Sequence, residues 1–105
     1  MSNELTGNDS AVEVLEKVKV QPPKMWKVVL VNDDKTTMEF VILVLMQIFH
    51  KTFEDATEIM TYVHTNGRGT AGIYSYEVAS QKKEETVTAA RANSFPLQVE
   101  LEDVD

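Results

Sequence analysis

The residues best suited to chemistry are Asn32-Asp33-Asp34, which end an apolar run, and His64, which stands just ahead of Asn66-Gly67. An amide oxygen, carboxylates and a neutral imidazole nitrogen are all hydrogen-bond acceptors. A primary ammonium carries three N–H donors and a positive charge, so a site for it asks for about three such groups. Asn32, Asp34 and His64 supply that set, and Thr36 and Met38 follow directly behind the acidic pair. A polar rim beside apolar surface suits a hydrophobic residue bearing an ammonium group. The same residues also have plainer readings. Asn-Asp-Asp is ordinary turn chemistry between a strand and a helix. A histidine near a helix end commonly partners the terminal carbonyls, and methionines at helical spacing are ordinary core residues. His50, beside Lys51, reads as solvated. Asp33, Asp34 and His64 also have the chemistry of metal ligands. Two adjacent carboxylates and one distant histidine, however, bring no evident fourth ligand or nucleophile. No catalytic residue, metal or cofactor is expected, and periodicity alone leaves the function open.

The elements that would position these residues are readable from local signals. Trp26 to Val31 is rich in strand-forming residues and is broken by Asn32-Asp33-Asp34. Thr36-Thr37-Met38-Glu39 has capping-box spacing and predicts a helix from about Thr37 to Phe49. Its inward face reads as Met38, Val41, Leu45 and Ile48, with Leu43, Met46, Gln47 and His50 on an unusually apolar outer side. A second helix begins near Thr52, carries Phe53, Ala56, Met60 and Val63 as a stripe, and stops at Asn66-Gly67. Packing these helices as a hairpin would bring Met60, Val63 and His64 to the Asn32–Asp34 corner. A strand over Thr70 to Tyr74, a helix from Ser75 or Tyr76 to about Asn93 and a strand over Leu97 to Leu101 complete the order β-α-α-β-α-β. The expected fold is α+β: a small sandwich of a three-stranded antiparallel sheet packed against three helices, with strand order undetermined.

Composition narrows the function further. The chain has 105 residues and is 43% hydrophobic, enough for one modest core. Ten Lys and Arg against 17 Asp and Glu give a net charge of -7, which argues against a nucleic-acid partner. With no Cys, disulfides and thiolate chemistry are excluded. Met1 to Leu5 lacks the basic-then-apolar pattern of a secretory signal, and no apolar stretch is long enough for a membrane span, so a cytoplasmic protein is expected. Residues 1–21 read as a flexible tail and 22–105 as the folded core, with a monomer as the default.

Taken together, Pro22-Pro23-x-Met25-Trp26-Lys27-Val28-Val29-Leu30-Val31-Asn32-Asp33-Asp34 and the following Thr36-x-Met38-Glu39-Phe40-Val41 strongly resemble the ClpS adaptor family. Ala56-Thr57-x-Ile59-Met60, Val63-His64-x-Asn66-Gly67, Gly72-x-Tyr74-x-x-Glu77-Val78-Ala79 and Ala90-Arg91 before Pro96-Leu97 continue the match in family order. The resemblance implies a non-enzymatic adaptor of the ATP-dependent Clp protease in bacteria. Asn32, Asp34 and His64 would hold a substrate's α-amino group, with Asp33 against its backbone. Thr36, Met38, Val41, Met60, Val63 and Leu97 would line a pocket for an N-terminal Phe, Leu, Trp or Tyr, with Met38 as a gate. The implied partner is the N-terminal domain of a ClpA-type AAA+ unfoldase, docking around Glu77 and Lys82, with the tail assisting delivery. The alternative is a structural interaction module without N-terminal specificity, since fold alone does not set function.

The chain departs from the family pattern in three places. Thr37 stands where proline is common, which removes a fixed φ at the helix start. Lys83 and Thr86 sit where apolar residues would help the third helix to pack. Leu43 and Met46 make the outer face of the first helix greasier, consistent with a self-contact or with scattered surface residues.

Overall fold

Capping and turn residues set the element boundaries in the computed structural model, which describes residues 22–105. The expected tail and its delivery role lie outside the described residues. Strand β1 spans Met25–Val31, helix α1 Met38–Gln47, helix α2 Phe53–Asn66, strand β2 Arg68–Ser75, helix α3 Tyr76–Ala92 and strand β3 Gln98–Asp103. This is the expected α+β order. The sheet runs β2-β1-β3, and β1 is antiparallel to both neighbours. A register shift at Val28/Val29 marks a bulge in the β1–β2 pairing.

The start of α1 differs by one residue from the capping box read at Thr36. Thr37 is the N-cap, at φ -77° and ψ 153°, and its hydroxyl accepts from the Phe40 N–H at 3.1 Å. The Thr36 hydroxyl instead donates to the Asp33 carboxylate at 2.7 Å, because an ionised oxygen is the stronger acceptor. A threonine here therefore supplies a cap that proline has no side chain to make. α1 ends with His50 in the left-handed region (φ 58°) and the Lys51 N–H bonded to the Leu45 carbonyl. α2 is capped by Thr52, whose hydroxyl accepts from the Asp55 N–H, and ends at Gly67, whose φ of 90° is cheap only for glycine.

One apolar cluster fills the space between sheet and helices. Val28 and Leu30 of β1, Val41, Val44 and Leu45 of α1, Ala56 and Val63 of α2, and Ala79 and Ala90 of α3 all belong to it. Two members of the expected α1 stripe are displaced: Met38 is 47% exposed and Ile48 is only half-buried, while Phe40 and Val44 are buried instead. Phe40 turns inward because its ring meets Phe95 edge-on at 5.0 Å. Phe53 is also exposed, since the first residue of α2 lies beyond the reach of the core. Leu43 and Met46 do lie on the outer face.

Of the two polar departures in α3, Thr86 is satisfied internally. Thr86 is fully buried, and its hydroxyl donates to the Lys82 carbonyl at 2.8 Å. On the opposite side of the sheet, Val29 is buried and Arg68 reaches across β1 from β2 to pair with Glu100 and Glu102 of β3.

Candidate binding site

The end of β1 is anchored from both sides: Val31 pairs with Arg68 and Gln98, and the Asn32 N–H donates to the Gly67 carbonyl at 2.9 Å. That last bond joins the start of the Asn-Asp-Asp loop to the C-cap of α2. The last turn of α2, which carries His64, is thereby brought beside the loop.

A cleft of about 340 Å³ opens at this corner, lined by Asn32, Asp33, Asp34, Lys35, Thr36, Thr37, Met38, Val41, Met60, Val63 and His64. Its floor is apolar: Val41 and Val63 are buried in the core, Met60 is half-buried and Met38 is exposed at the edge. Among the described residues, the side chains of Asn32, Asp34 and His64 make no hydrogen bond. Their acceptors are therefore available to a ligand, beside a floor able to take an apolar group.

Asp33 is engaged differently. Its Oδ1 accepts from the N–H groups of Lys35 (2.8 Å) and Thr36 (2.7 Å), and its Oδ2 from the Thr36 hydroxyl (2.7 Å). Partial burial pushes its carboxyl up. The Thr36 N–H and hydroxyl, the Lys35 N–H and the Arg91 charge outweigh that and hold it below the ordinary aspartate range. The carboxylate thus fixes the loop that carries its neighbours.

Three other residues singled out in the sequence, Leu97, Glu77 and Lys82, stand apart from the cleft. Leu97 is 1% exposed and does not line it; it packs in the same cluster as Val41 and Val63. Its position just before β3 makes it core. Glu77 is exposed in the first turn of α3. Lys82 on the same helix donates from Nζ to the Ile48 carbonyl at 2.7 Å, with Nζ 5.3 Å from the Tyr74 ring centroid and 5.9 Å from that of Phe49. Sequence reasoning missed Lys35 and Thr37 as lining residues. Their place between residues already chosen was the available signal, because a short loop edging a cleft exposes most of its members. Among the described residues, no group of three His, Asp and Glu side chains is arranged to hold a metal ion, and no helix is long and apolar enough to cross a membrane.

Residues 21–100 match the family model of the ATP-dependent Clp protease adaptor protein ClpS. An ATP-dependent Clp protease adapter protein ClpS from Campylobacter jejuni is 47% identical over 91 residues, covering 87% of this chain and 95% of that protein. The protein of the same name from Phenylobacterium zucineum is 50% identical over 96 residues, covering 91% and 88%. Among solved structures, Agrobacterium tumefaciens ClpS2 bound to L-phenylalaninamide superposes with a TM-score of 0.75 at 30% identity, over 78% of this chain and 99% of that one.

Proposed function

Since the chain belongs to the ClpS family of Clp protease adaptors, we propose that it captures proteins by a free N-terminal Phe, Leu, Trp or Tyr and delivers them to the N-terminal domain of a ClpA-type AAA+ unfoldase. The observation that carries this reading is the single cleft in which Asn32, Asp34 and His64, free of internal partners among the described residues, stand beside Met38, Val41, Met60 and Val63. The ammonium donates to the three polar groups while the side chain rests on the apolar floor. L-Phenylalaninamide, the ligand of the Agrobacterium relative, combines a free α-amine, a benzyl group and an amide where the next peptide bond would be. It has the chemistry of an N-terminal phenylalanine.

The roles divide by environment. Asp34 supplies the charge opposite the ammonium. Asp33, its oxygens engaged by Lys35 and Thr36, acts by holding the loop and not by binding the amine. Met38, unbranched and exposed at the edge, acts as the gate. A β-branched Ile or Val next to the ammonium collides with it and is rejected. Leu97 supports the floor from within the core. No step of this cycle calls for a catalytic residue.

Burying a Leu or Phe side chain contributes about 1.5–3 kcal/mol, and each charge-assisted hydrogen bond adds roughly 1.5–3 more. After the cost of association, an affinity of about micromolar or somewhat better follows, suited to a carrier that must release its cargo. The unfoldase docks at the start of α3, where Glu77 is exposed beside Tyr76 and Val78 (54% and 40% exposed).

The test is fluorescence anisotropy with two labelled peptides that differ only in whether an N-terminal Phe is free or acetylated. Binding of the free form alone supports the reading, because acetylation deletes the charge and leaves desolvated acceptors unpaired. Equal binding of both forms, or of neither, overturns it.

A further inference from the structure

Lys35 lines the cleft between Asp34 and Thr36. Its backbone is fixed, since its N–H donates to Asp33 Oδ1 at 2.8 Å, while its side chain is exposed. Among the described residues, Lys24 pairs with Asp103, Arg68 with Glu100 and Glu102, Lys82 with the Ile48 carbonyl and Arg91 with the Phe95 and Leu97 carbonyls, while Lys27, Lys51 and Lys83 have no such partner but lie outside the cleft lining. The Lys35 ammonium makes no hydrogen bond or ion pair among the described residues. It is also the one permanently cationic side chain in the cleft lining.

We infer that Lys35 is a specificity-determining residue for the position that follows the captured N-terminal residue, favouring an acidic second residue over a basic one. This rests on the proposed capture of N-terminal residues. With the amine on Asn32, Asp34 and His64 and the first side chain on the floor, the chain must leave through the mouth of the cleft. Consecutive Cα atoms are 3.80 Å apart, so the second side chain emerges within reach of a flexible lysine stem anchored in the same loop. Asp34 is neutralised by the incoming ammonium, and the Asp33 oxygens are occupied by the loop. Lys35 is left to act on whatever lies beyond the first residue. Without it, the charge left at the mouth once Asp34 is neutralised would be that of Asp33, on a chain of net charge -7, which repels an acidic second residue. Lys35 reverses that preference locally. The interaction crosses solvent, so it is modest and screened by salt.

The experiment measures Kd for free-amine peptides beginning Phe-Glu, Phe-Ala and Phe-Lys, with wild type, Lys35→Ala and Lys35→Glu. Circular dichroism checks that the exposed substitutions leave the fold intact. The expected result is a preference for Phe-Glu over Phe-Lys in wild type. It shifts toward Phe-Lys by about threefold in Lys35→Ala and up to about tenfold in Lys35→Glu, the scale of one and two unit-charge changes across a solvated gap. The Glu-to-Lys ratio is the readout, because a charge change beside Asp34 also acts on the ammonium common to all three peptides, and the shifts in that ratio should shrink near 0.5 M salt, where the Debye length is about 4 Å. If Phe-Ala binds and is lost on acetylation but the Glu-to-Lys ratio is the same in all three proteins, Lys35 has no such role. If Phe-Ala does not bind wild type, the capture reading itself fails and this inference with it.

Discussion

Asp33 and Thr36 close a ring across the loop that follows β1: one carboxylate oxygen accepts the Thr36 N–H and the other its hydroxyl, each at 2.7 Å. Because the folded state holds this carboxyl below its ordinary pKa, the bonds add stability above the unfolded value of about 3.9. That contribution is lost as pH falls through the depressed folded value. Asp33→Ala should therefore cost about 1 kcal/mol near neutral pH, and the gap to wild type should close in acid. Urea midpoints taken across acidic to neutral pH measure this. A gap that does not change with pH would mean that the charge contributes nothing.

The amine-binding set should show itself as affinity lost without stability lost. Asp34→Ala and His64→Ala remove exposed side chains with no internal hydrogen bond among the described residues, so their thermal midpoints should match wild type. Each should weaken binding of a free N-terminal Phe peptide by about tenfold to a hundredfold, the worth of one charge-assisted hydrogen bond. Unchanged affinity in both variants would remove the polar rim from the mechanism.

Gly69 links the fold to the cleft through Val63. A Cβ placed on Gly69 would stand 2.9 Å from the Val63 Cγ2 and 3.0 Å from the Tyr62 Cδ1. Gly69→Ala must push α2 or the Val63 side chain aside, at a cost of about 1–3 kcal/mol. Because Val63 lines the floor, peptide affinity should fall together with the denaturation midpoint. A drop in stability with affinity intact would show that the floor adjusts independently of the β2–α2 packing.

Lys82→Met keeps a long apolar side chain but removes the ammonium that bonds the Ile48 carbonyl and lies near the Tyr74 and Phe49 rings. The loss should be about 1–2 kcal/mol in denaturant titration. The same variant should weaken unfoldase binding partly through this loosened α1–α3 contact. Glu77→Ala should weaken it with no change in the denaturation midpoint. Comparing the two in a pull-down against the unfoldase N-terminal domain separates direct contact from support.

The sequence by itself determined the element order, because the signals involved are local. A strand-forming run, Thr52 as a helix cap, Asn66-Gly67 as a stop and alternation after Pro96 each act within a few residues. It also displayed Asn32, Asp34, Met38, Met60 and His64, whose types already carry acceptor and apolar character. Tertiary structure decided what depends on competition or distance. The helix cap fell to Thr37 because the Asp33 carboxylate took the Thr36 hydroxyl. Leu97 became core and not cleft lining because it packs with Val41 and Val63. Lys82 turned to the Ile48 carbonyl, far from it in the chain. The site itself exists because the Asn32 N–H reaches the Gly67 carbonyl, bringing one end of a strand to the end of a helix. Hydrogen bonds within a turn can be read from spacing, whereas those that close long loops depend on how the whole chain packs.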